Sequence, residues 1–134
     1  MSNEQRRRQG FPMKNVIQEK SFEFAARVVR LCRHLQERKD ERILSRQLLR
    51  AGTSVGANVE EALGGVSLAD FANKMSIAYK EARENSYWLR LLERTGHLTP
   101  RQFASIHADI EEIIKLLFTI RKTARTRKEI ADAK

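Results

Sequence analysis

Three histidines, His34, His97 and His107, are the side chains best suited to proton transfer near neutral pH, and they lie on different stretches of the chain. None follows a glutamate by three positions, so the Glu-x-x-His pairs of carboxylate-bridged di-metal bundles are absent. His107 and Glu111 share a helical face at i, i+4, a single pair of a kind that many helices carry. Glu60-Glu61, Glu81 and Glu84 could act as paired carboxylates in acid–base work. They alternate with Lys80 and Arg83, however, as a solvated, salt-bridged surface does. No nucleophile, base and orienting group fall together. Cys32 is the only cysteine, which excludes an intrachain disulfide and a cysteine-based zinc site. Set among Val28, Val29 and Leu31, it reads as a small core residue in a reducing compartment. The inventory predicts no catalytic residues, no metal ligands and no cofactor.

Two motifs need weighing before they are set aside. Gly52-Thr53-Ser54-Val55-Gly56-Ala57 carries two glycines four apart inside a helical pattern, each costing about 1 kcal/mol relative to alanine. A phosphate loop would require a lysine after the second glycine and a strand before the first, and neither is present. The remaining explanation is packing: Gly52 and Gly56 let another helix approach closely. Ser67 to Ile77 superficially matches a helix-turn-helix reader, but that motif requires a turn at Ser76. Met75, Ala78 and Ala82 stay in phase through that point, so one continuous helix is expected.

The elements that position these residues are written in the apolar spacing. The first segment places Ile17, Phe24, Val28, Leu31 and Leu35 on one stripe, with Ser21 filling the remaining slot. The second has Leu44, Leu48, Ala51, Val55, Val59, Ala62 and Val66; the third Phe71, Met75, Ala78, Ala82, Asn85, Leu89 and Leu92. The fourth runs Phe103, Ile106, Ile110, Ile113, Leu117, Ile120. Steps of three and four residues make helices, and no segment alternates as a strand would. Thr99-Pro100-Arg101-Gln102 is a capping box with proline at the first helical position, and Ser67 with Asp70 can start the third helix similarly. Lys39-Asp40, Gly64-Gly65 and Gly96 mark the breaks. Segments of about 22–28 residues joined by short loops predict an all-α fold, an antiparallel up-down-up-down four-helix bundle. The expected division is a basic tail over 1–14, the bundle over 15–125 and a basic extension over 126–134.

Some apolar residues exceed what that bundle consumes. Phe22, Ala25, Val29 and Cys32 form a second stripe on the first helix, and Ile77, Tyr87, Trp88 and Leu91 one on the third. Such surplus marks an interface or packs under tails and loops. Asn85 falls on a core stripe, where a buried amide either fixes register or bonds to neighbouring backbone.

With 26 basic and 17 acidic residues the chain carries +9, unevenly placed. Residues 1–50 hold 13 basic and 6 acidic groups (+7), 51–112 hold 6 and 9 (−3), and 113–134 hold 7 and 2 (+5). Basic ends around a mildly acidic middle fit a polyanion partner such as RNA, DNA or a nucleoprotein; the alternative is that the cations only solubilise helices. In the up-down-up-down order both chain ends leave the bundle together, gathering Arg6, Arg7 and Arg8 near Arg121, Lys122, Arg125, Arg127 and Lys128. The arginines near the start precede no apolar stretch, and no run approaches the roughly 18–20 residues that span a membrane. A cytoplasmic protein without a membrane partner is expected.

Leu44 through Ala62 (Leu-Ser-Arg-Gln-Leu-Leu-Arg-Ala-Gly-Thr-Ser-Val-Gly-Ala-Asn-Val-Glu-Glu-Ala) and the stretch from Ala69-Asp70-Phe71 through Lys80-Glu81-Ala82 to Tyr87-Trp88-Leu89 resemble a known bacterial family. These are the four-helix-bundle proteins named after members encoded in intervening sequences of large-subunit ribosomal RNA. The resemblance covers residues 16–124 and leaves Arg6, Arg7 and Arg8 outside. It implies a bundle that assembles as a homopentamer, and kinship of fold with the accessory variability protein of diversity-generating retroelements, a basic pentamer that partners a reverse transcriptase and RNA. It brings no catalytic residues. The expected function is a non-catalytic oligomeric scaffold that binds RNA or a nucleic-acid-binding protein through its basic ends. The alternative is a protein–protein adaptor with no nucleic-acid ligand.

Overall fold

The computed structural model describes residues 13–134, which form four helices: α1 (Met13–Arg38), α2 (Ile43–Leu63), α3 (Leu68–Arg94) and α4 (Pro100–Asp132). There is no strand among the described residues. Each helix packs on the next in sequence, and α1 closes the square against α4 along the sparsest of the four seams. Cross-helix pairs fix the antiparallel order: Gln18 with Glu60, Arg50 with Glu81, Ser86 with His107, Lys20 with Glu112 and Arg27 with Asp109. The all-α, up-down-up-down bundle is therefore the fold. α3 is continuous through Ser76, without the turn that a helix-turn-helix needs.

The breaks follow their local chemistry. Thr99 and Gln102 form a reciprocal capping box with Pro100 opening α4, and the Ser67 hydroxyl accepts the Asp70 amide at 3.0 Å. After α3, Gly96 takes φ +82°, a conformation costly for side chains with a Cβ. The His97 amide then reaches back to Leu92 O (2.9 Å) and the Gly96 amide to Glu93 O (3.0 Å), the two bonds of a Schellman stop. The start of α2 works differently. Arg42 at the cap position offers no side-chain bond, and the Glu41 carboxylate accepts the amides of Ile43, Leu44 and Ser45 at 3.2, 2.8 and 2.7 Å. Partial burial pushes this carboxyl up, but the bonds from Leu44, Ser45 and Ile43 together outweigh it and hold it below its ordinary value. A depressed carboxyl stabilises the fold above its unfolded pKa, and that contribution disappears as pH falls through the folded one. Glu41→Gln is expected to cost about 1 kcal/mol at neutral pH, as lost caps do. The gap to wild type should close in acid; urea melts at pH 7 and pH 3 read it.

The core runs the length of the bundle, from Ile17, Ala62 and Ile120 at one end to Leu35, Leu92 and Leu98 at the other. Several stripe positions differ from expectation, and Leu44, Phe71 and Phe103 are only half-buried. Cys32 is buried and donates its thiol to Ser45 O (3.2 Å), while Leu31 is only half-buried, because the first helix presents its core face one residue later. Burial pushes the Cys32 thiol up to about 12, so it is an inert core group. Val66 is 99% exposed because α2 has already ended at Leu63. The surplus apolar residues also separate: Phe22 (67%) and Tyr87 (50%) face solvent, Ala25, Val29, Ile77, Trp88 and Leu91 are half-buried, and Cys32 belongs to the core.

The fourth helix is longer than the expected 22–28 residues, at 33. Lys20 pairs with Glu112, so the start of α1 stands level with about Thr119 on α4. At 1.5 Å per residue, α4 continues about 20 Å further. Its last buried residue is Ala124; from about residue 120 onward, through the segment assigned to an extension, α4 forms a helical arm that still borders Leu68 and Phe71 of α3 at Ala124 and Arg127.

Candidate nucleic-acid interface

The arm carries the cations selected from sequence at the C-terminal end, and its helical geometry divides them. Arg121 is half-buried, its guanidinium carbon 4.3 Å from the Tyr79 ring centre and 5.8 Å from that of Phe118. The two rings lie 6.1 Å apart at 50°, and Arg83, one turn along α3, sits 5.9 Å from Tyr79. Lys122 and Arg125 follow one turn beyond Phe118 and Arg121, and both are exposed. Among the described residues, no carboxylate lies within 4.0 Å of Arg83, Arg121, Lys122 or Arg125. The Arg121 Nε is buried without a hydrogen-bond partner.

Arg127 and Lys128 point elsewhere. Arg127 borders a groove of about 650 Å³ formed by Leu63, Leu68, Phe71, Ile120 and Ala124 at the open end of the bundle. Lys128 is held 2.9 Å from Asp132 on its own helix. Arg6, Arg7 and Arg8 lie outside the described residues. The structure thus brings Arg121, Lys122 and Arg125 together with Tyr79 and Phe118, which the sequence reading passed over, and with Arg83, which it assigned to a salt-bridged surface although Glu81 and Glu84 pair with Arg50. Their signal was present: Tyr79 and Arg83 are spaced i, i+4, and Phe118, Arg121 and Arg125 fall on one face of α4.

The remaining polar clusters are surface pairs and seam contacts satisfied within the chain. Arg27 bonds Asp109 at 2.6 Å and the Ser105 hydroxyl at 2.6 Å across the α1–α4 seam. Arg50 joins Glu81 and Glu84, and Glu84 also accepts the Trp88 indole N–H at 3.1 Å. Lys74 lies 2.7 Å from Glu61, whose hydrogen bond and charge push its ammonium up. Ser86 Oγ lies 2.8 Å from His107 Nε2, and the Glu111 carboxylate is 3.5 Å from that same nitrogen. A hydrolytic triad needs serine and carboxylate on opposite ring nitrogens, so this trio is a packing contact beneath Phe103, which stacks on His107 at 4.6 Å. Among the described residues, no group of three histidine, cysteine, aspartate or glutamate side chains is placed to hold a metal. Nor is any of the described helices long and apolar enough to cross a membrane.

The glycines sit where helices cross. A Cβ on Gly52 would lie 2.7 Å from Val28 Cγ1 and 3.1 Å from Asn85 Oδ1, and one on Gly56 3.3 Å from Ser21 O. Asn85 is fully buried; its Nδ2 donates to Glu81 O at 3.0 Å, and Oδ1 faces the Gly52 crossing without a donor.

Four antiparallel helices around one apolar core place the molecule in the class of all-α four-helix-bundle domains. Residues 13–119 match the family described as 23S rRNA-intervening sequence protein, and the chain belongs to that family. Among solved structures it is similar to a protein of unknown function from the S23 ribosomal protein family of Bacteroides thetaiotaomicron VPI-5482. The two are 50% identical with a TM-score of 0.81, over 83% of this chain and 99% of the other. No curated protein matches the chain.

Proposed function

We infer that the protein is a non-catalytic scaffold, assembled from copies of itself as a ring of five, that binds RNA or a nucleoprotein through the basic α4 arm. The observation carrying this reading is the set of cations on Arg83, Arg121, Lys122 and Arg125 with no carboxylate partner among the described residues. Arg27 and Arg50 are neutralised by carboxylates across the bundle, whereas these four cations lie close together without one and concentrate positive potential at that corner. A neighbouring copy would cover the exposed rings of Phe22 and Tyr87 together with the half-buried Ala25, Val29, Ile77, Trp88 and Leu91 beside them on α1 and α3. A cyclic ring repeats the arm on one side of the assembly, multiplying the field that a polyanion meets. Such a surface selects by charge and shape rather than base sequence.

The test combines light scattering with titration of labelled RNA at two salt concentrations. The expected result is a mass of five subunits and an affinity that falls steeply with salt as phosphate counterions are released. A protein–protein adaptor, favoured by the same exposed rings, would show no RNA affinity and no salt dependence.

A further inference from the structure

We propose that the arm binds single-stranded nucleic acid by stacking an unpaired base on Phe118, within a platform formed by Phe118, Tyr79, Arg121 and Arg83. This rests on the polyanion reading and adds the form of nucleic acid that the site accepts.

Charge alone does not explain how this corner is built. Phe118 is 46% exposed on the outer face of α4, beside the buried stripe of Ile113, Leu117 and Ile120. A ring in water is costly unless something covers it. One side of the pair is occupied: Arg121 lies 4.3 Å over Tyr79, and Arg83 sits 5.9 Å from the same ring. This stacking fixes the Arg121 guanidinium as a flat, cationic edge beside Phe118 instead of leaving it a swinging charge. Its buried Nε has no acceptor in the protein, which leaves a donor unsatisfied at the platform. Lys122 and Arg125, one turn on, are spaced to follow a phosphate backbone away from the stacked base.

An aromatic face flanked by planar guanidinium groups and backed by flexible cations is the arrangement that binds single strands with little sequence preference. Duplex RNA keeps its bases stacked inside and offers that face nothing to receive. A purely electrostatic arm would treat the two forms by charge density alone.

The test uses the full chain, a labelled single-stranded oligouridine and a duplex RNA of equal length. Phe118→Leu keeps apolar bulk and all charges while removing the ring; Ile43→Ala, at the exposed start of α2, is the control. Phe118→Leu is expected to weaken oligouridine binding about fivefold to a hundredfold, as loss of one base–aromatic stack does. Its salt slope and its duplex affinity should match wild type, and Ile43→Ala should leave both affinities unchanged. Equal loss on both RNA forms, no loss on either, or a change in assembly mass on Phe118→Leu would overturn the stacking platform while leaving charge-driven binding standing. If the wild type itself binds neither RNA, the polyanion reading fails and the platform fails with it.

Discussion

Gly52→Leu is expected to abolish cooperative folding or to lower stability by several kcal/mol, the largest effect of any single substitution considered. The helix-propensity gain from removing a glycine, about 1 kcal/mol, works in the opposite direction. It is outweighed because the first added carbon would already stand 2.7 Å from Val28 Cγ1 and 3.0 Å from Cγ2. Valine is branched and stiff, Val28 is fully buried, and Asn85 closes the other side of the crossing. Overpacking at such a point costs about 1–3 kcal/mol for modest insertions, and leucine adds three further carbons. Gly52→Ala should therefore destabilise measurably, and pairing it with Val28→Ala should recover part of the loss, since the removed methyls make the space. Urea melts of the four proteins decide it. If Gly52→Leu melts like wild type, close approach is not why glycine stands there.

The second large effect concerns the arm. Replacing Arg121, Lys122 and Arg125 with glutamine should remove most RNA affinity and flatten the salt dependence. Each single-strand phosphate contact contributes about 0.7 to the slope of log affinity against log salt, so three lost contacts remove about 2 per engaged subunit. The paired change at Arg127 and Lys128 should do far less, because Lys128 is already 2.9 Å from Asp132 and Arg127 borders the apolar groove. The sequence alone would have weighted all five equally. A thermal melt of each variant separates loss of binding from loss of fold. Should the triple variant bind RNA as tightly as wild type at both salts, the arm is not the binding surface.

How far the sequence anticipates the molecule depends on whether a feature is local. The capping box at Thr99, the Ser67 cap and the Gly96 stop depend on residues a few positions apart, and all were legible. The length of α4 was not, because the apolar stripe stops at Ile120 while the helix continues. Alanine, lysine, arginine and glutamate sustain it beyond that point, and no glycine or proline interrupts. Glu41 was missed because its three amide bonds replace a cap at the position Arg42 occupies. The candidate site was half legible. Its α4 cations announced themselves by charge, whereas Tyr79 and Arg83 join them only through the register of α3 against α4, which single-helix spacing cannot supply. The Ser86–His107 contact was hidden for the same reason.

The order of packing also bears on how the chain acquires its structure. Apart from the sparse α1–α4 seam, every helix rests on its neighbour in sequence. Contact order is therefore low, and helical proteins of this kind fold in roughly microseconds to milliseconds. Val28, Gly52 and Asn85 all belong to the first three helices, so the tightest crossing is built without any residue of α4. The basic arm depends on that crossing only indirectly, through the register of α3 that sets Tyr79 beside Arg121 and Phe118.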